Sequence, residues 1–160
     1  MINLIEELTT GPLATELAPY IAIADEDSLK TIKEIFERKD IVIPGNLSVH
    51  AIKQYISILK LRLAILDSTT IPCREFNVAI EDFKDSGFDL SNELIYNRVV
   101  EVLDGLISDE TLVPAFTEAN KATLLSLGDK VVSRVEQLGV NISITDLVTA
   151  IFNADGSKNI

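Results

Sequence analysis

Apolar positions recur along most of this chain at spacings of three and four, the period of a helix with one buried side. Leu29, Ile32, Ile35 and Phe36 follow the acidic run Asp25-Glu26-Asp27-Ser28. That run supplies caps and negative charge where a helix N-terminus favours both. Phe76, Ala79, Ile80 and Phe83 repeat the pattern behind Pro72, with Glu75, Glu81 and Asp82 outward. Leu94, Ile95, Val99, Val102, Leu103 and Leu106 repeat it again behind Ser91. The same period predicts a short helix near 3–9, one over 13–24 kinked or split by Pro19, and a last one over 146–152. A long helix is expected from about residue 115 or 117 to Leu138, stopped by Gly139.

The segment Val49–Leu66 behind Ser48 is apolar around nearly its whole circumference, which predicts a central helix enclosed by the others. Lys53, Lys60 and Arg62 inside it argue against a membrane span. Asp40-Ile41-Val42-Ile43-Pro44-Gly45 is the one β-like run; it ends in Pro-Gly and has no evident partner strand, so it reads as an extended connection. The expectation is all-α: one domain over 1–154, a bundle of about seven helical segments, and a tail over 155–160.

With 160 residues, 47 % of them hydrophobic and no Trp, the chain is one domain's worth of Leu, Ile, Val and Ala packing. Fourteen basic against 25 acidic residues give a net charge of −11. Residues 1–113 carry 20 acids and 10 bases; residues 114–160 carry 5 and 4. Such a surface repels a phosphate backbone, so direct nucleic-acid binding is not expected. The N-terminal Met1–Glu7 lacks the basic start and long apolar stretch of a secretory leader, which makes the cytoplasm of the producing cell the expected place.

Catalytic chemistry finds little to build on. His50 is the sole histidine and Cys73 the sole cysteine, so a metal site of imidazole and thiolate is not expected. Cys73 follows Pro72 at a helix start, where a thiol pKa can fall, and a Cys73–His50 pair is the form a nucleophilic enzyme would take. The carboxylate groups Asp25-Glu26-Asp27 and Glu81-Asp82-Asp85 read as capping and as solvated surface. No glycine pattern for a nucleotide is present, and no cofactor is expected.

The apolar residues exceed what the inward stripes use. Ile21 and Ile23 beside Pro19, the run Ile41-Val42-Ile43, and Leu112-Val113 lie in or next to connections, which run over surfaces. Grouped there, they are the candidate interface with other proteins, in a homo-oligomer or a larger assembly.

Gly11-Pro12-Leu13-Ala14, Ser48-Val49-His50-Ala51-Ile52-Lys53-Gln54-Tyr55, Phe88-Asp89-Leu90-Ser91-Asn92, and Lys121-Ala122-Thr123-Leu124-Leu125 through Ser133-Arg134-Val135-Glu136-Gln137-Leu138-Gly139 resemble a group of small helical proteins encoded by bacteriophages and prophages. The resemblance implies a viral setting and no active-site residues. Within it the expected role is a non-catalytic virion component or assembly factor. Two alternatives stay open: an acidic inhibitor of a basic host or defence protein, and an enzyme using carboxylates or Cys73 with His50.

Overall fold

The computed structural model describes residues 2–160. It is helix-rich, with four short strands in two two-stranded sheets among the described residues. The chain forms two compact units, residues 1–41 with 131–160 and residues 42–130, each holding its own cluster of buried side chains.

In the first unit, α1 (Leu4–Thr10), α2 (Ala14–Ile23), α3 (Glu26–Glu37), α9 (Arg134–Leu138) and α10 (Ile144–Ile151) surround Leu8, Leu17, Ile32, Phe36, Leu147 and Ile151. The α3 stripe is buried as its period predicts, and Asp25 caps it by accepting from Ser28 N at 2.8 Å. Pro19 sits inside α2 without splitting it. Arg134 of α9 grips Glu7 of α1 through two bonds, Nη2 to Oε1 at 2.6 Å and Nε to Oε2 at 3.1 Å, with both side chains mostly buried. The residues read as a tail turn back instead: Phe152 bridges Lys158, Asn159 N donates to Ile151 O, and Ile160 lies half-buried on this core.

In the second unit, α4 (Val49–Ile58), α5 (Arg62–Asp67), α6 (Ile71–Asp82), α7 (Glu93–Ser108) and α8 (Glu118–Ser126) enclose Ile56, Leu61, Ile65, Phe76, Leu103, Leu106 and Leu124. Strand β2 (Asn46–Leu47) pairs antiparallel with β3 (Phe88–Asp89), Leu47 opposite Phe88. Strands β1 (Ile41–Pro44) and β4 (Asp129–Val132) pair with each other, and the chain passes between the units within them.

Two expected helices are broken, which raises the number of helices above about seven. The segment 49–66 stops at Ile58 and restarts at Arg62. Leu61 N donates to Ile56 O and Lys60 N to Ser57 O, with Lys60 left-handed at φ 61°: a Schellman stop with Lys where Gly is usual. Nor is α4 enclosed; it buries Val49, Ile52 and Ile56, and exposes His50, Gln54 and Ser57. The segment 115–138 contains α8, β4 and α9 in place of one helix. Gly128 breaks it where the backbone comes against β2: a Cβ there would stand 3.0 Å from Leu47 Cβ and 3.2 Å from Leu47 N. The β-branched Val131 and Val132 follow, and they provide β1 with the partner the sequence did not reveal.

Candidate protein-binding surfaces

Of the expected interface residues, Ile21, Ile23 and Ile41 belong to the first unit, and Val42, Ile43, Leu112 and Val113 to the second. Ile21 is half-buried on the first unit's core, and Ile23 stands 65 % exposed at the end of α2. In β1, Ile41 and Ile43 are half-buried while Val42 is 62 % exposed, the alternation of a strand. Leu112 is core, 4 % exposed, so it presents nothing to a partner; its neighbour Val113 is 82 % exposed. The connection turns between these two residues, and the order of the pair gives no sign of which one enters.

A more concentrated apolar surface lies on α6 and α7. Cys73, Phe76 and Ile80 turn one side of α6 into the core. Positions 71, 74, 75 and 78, spaced by three and four, fall on the far side. Ile71 and Val78 are exposed there at 71 % and 56 %, with Arg74 and Glu75 between them. Arg98 of α7 closes the same groove, and Leu94, one turn earlier, is 82 % exposed. Leu94 was expected in the buried stripe of α7. Asn92 starts the helix by accepting from Leu94 N and Ile95 N, and the first turn then aims Ile95 inward and Leu94 out. The signal in the sequence was a second stripe: 71 and 78 repeat at a spacing of seven on the side that the inward residues of α6 leave free.

The residues proposed for chemistry do not meet. His50 is exposed on the outer side of α4. Cys73 is fully buried, and its Sγ donates to Asp109 Oδ2 at 3.3 Å. Asp109, which follows α7 in the link to Pro114, is the centre of a small buried network. Its Oδ2 also accepts from Thr70 Oγ1 at 2.5 Å; its Oδ1 accepts from Thr111 N at 3.0 Å and from Thr111 Oγ1 at 2.5 Å. These bonds, led by those from Thr111 and Thr70, hold its carboxyl down at about 2 against the opposing effect of burial. Every donor is a neighbour in the fold, so the arrangement ties the start of α6 to the end of α7. Asp25-Glu26-Asp27 serve α3: Asp25 as its cap, and Glu26 in an ion pair with Lys30 at 3.0 Å. Glu81 pairs with Lys84 at 2.6 Å, and Asp82 and Asp85 face outward. No cluster of three metal-ligating side chains occurs among the described residues. No helix among them is long and apolar enough to cross a membrane.

The core of the second unit contains a cavity of about 20 Å³ lined by Ile52, Phe76, Phe88, Leu103 and Leu124. Arg98 also lines it but offers it no polar surface, so the cavity, with room for one water, is a dry packing gap. Compared with known proteins, the chain matches no family model, no curated protein and no solved structure.

Proposed function

We propose that this chain is a non-catalytic assembly protein, a component or assembly factor of a bacteriophage particle, that docks another protein chain on the outer side of α6 and α7. The observation that supports this most is the exposure of Ile71, Val78 and Leu94 beside Arg74, Glu75 and Arg98. A solvent-facing apolar stripe edged by arginine and glutamate has the makeup of a binding surface: greasy contacts for affinity, a charged rim for register. These side chains contribute nothing to the core, and leaving them in water has a free-energy cost that a partner would remove. The viral setting is proposed on the resemblance of the helix-cap and core segments, and with it a place of action in the producing cell or in its particles.

A photo-activated cross-linking residue at position 78, in cells producing the protein from its own genome, tests this. A discrete covalent adduct with a protein is expected from position 78 and not from position 34, an exposed glutamate on α3. Free protein alone at position 78, throughout growth and particle production, would remove the docking role.

A further inference from the structure

We infer that the occupant of the α6–α7 face is a second copy of this chain, packed antiparallel about a two-fold axis that passes between residues 74 and 75. The inference rests on the docking role above and names its partner.

The face is complementary to its own reverse. Along the outer side of α6 the order is Ile71, Arg74, Glu75, Val78: apolar, positive, negative, apolar. Turning a copy end for end about the midpoint sets Ile71 against Val78 of the copy, and Arg74 against Glu75 of the copy. Both contacts occur twice, as a two-fold interface requires. The spacing of three, four and seven is that of a helix pair seam, with the apolar residues as knobs and the charged ones fixing direction. Neither Arg74 nor Glu75 forms an ion pair among the described residues, so both are free to pair across such an axis.

Charge selects this face over others. A copy carrying −11 is repelled by most of the surface of its twin. Here Arg74 and Glu75 share one groove with Arg98, which pairs with Glu101 at 3.6 Å, so the acids and bases of this face offset each other where the chain as a whole is strongly acidic. Leu94, beside Arg98, widens the apolar strip on the α7 side. Ile58, Leu63 and Leu66 are also exposed, on α4 and α5, but nothing in their surroundings specifies an occupant.

Charge exchange tests the pairing without touching the core. Sedimentation equilibrium of the full chain should show a monomer–dimer equilibrium. Arg74→Glu alone places two glutamate pairs across the axis, and Glu75→Arg alone two arginine pairs. Each should weaken the dimer by about tenfold or more. The double variant R74E/E75R restores opposite charges across the axis and should recover most of the loss. Val78→Lys should abolish association, with helix content and melting unchanged. A chain that stays monomeric at every concentration overturns the inference, as does a dimer indifferent to these substitutions. A monomer that still cross-links through position 78 to a different protein overturns the second copy and leaves the docking role standing. A monomer that cross-links to nothing removes both.

Discussion

Asp109 shows how much of this chain's stability is decided by single hydrogen-bonded groups whose partners are far away in sequence. Its carboxylate accepts from Thr70, Cys73 and Thr111, and all of these bonds favour the charged form. The folded value near 2 lies below the ~3.9 of a free aspartate, so the group stabilises the fold at neutral pH. That contribution is complete above about pH 4 and disappears as pH falls through 2; its size is up to about 2 kcal/mol. Replacing Asp109→Ala should therefore lower the urea midpoint at pH 7, and the gap to the parent should narrow steadily on acidification towards pH 2. A gap that stays constant with pH would mean that the loss is one of packing and not of charge. Only the Thr111 bond is local enough to be suspected in advance, as an Asp-x-Thr turn. Thr70 and Cys73 lie 39 and 36 positions away, and no periodicity announces them. By contrast Asp25, Ser48 and Ser143 cap α3, α4 and α10 from the next turn, which is why cap residues can be read from sequence and network residues cannot.

Most helix starts were legible in this chain; two stops, before Lys60 and before Gly128, and the restarts that follow them at Arg62 and Arg134 were not. Both α4 and α9 end in the same Schellman arrangement. At the end of α9, Val140 N donates to Val135 O and Gly139 N to Glu136 O around a left-handed Gly139, and the glycine announces it. At the end of α4 the same two bonds close around Lys60, which looks like any surface lysine of a continuing helix. The stop there is driven by tertiary packing: Ile56 and Leu61, the apolar pair of the motif, are both fully buried. A left-handed lysine costs about 1 kcal/mol that a glycine does not. Lys60→Gly should accordingly raise stability by about 0.5 kcal/mol once the extra freedom of the unfolded glycine is subtracted. Thermal melting of the full chain reads this directly, and a loss of stability would show that the lysine makes contacts outweighing its strain. The Gly128 break was hidden for a related reason. Its lack of a side chain matters because Leu47 passes within contact, and nothing near position 128 reveals that approach. Without that break, the pattern carries the helix on through Val131 and Val132 and leaves Ile41-Val42-Ile43 no strand to pair with.

At the scale of the whole chain, the class was legible and the division of the core was not, because apolar periodicity tells which side of an element is buried but not which other elements share the burial. Leu29 and Ile80 carry the same pattern, yet Leu29 belongs with Leu147 and Ile151, and Ile80 with Leu103 and Leu124. The first unit is assembled from both ends of the chain, with the Glu7–Arg134 clamp joining segments 127 positions apart. The second is continuous from 42 to 130. This difference has a folding consequence. A continuous unit closes its core with short connections, whereas the other must bring together segments separated by the entire insertion, at a higher entropic cost. Residues 42–130 alone should therefore fold to a helical unit that melts in one cooperative step, with Cys73 inside it. The thiol gives a sharp readout, since its burial and its bond to Asp109 shield it from a thiol reagent until the unit opens. Labelling should be slow in buffer and should accelerate across the same denaturant range that erases the helix signal. A fragment whose cysteine reacts at once, at the rate of an unstructured thiol, would show that the second core depends on the rest of the chain to form.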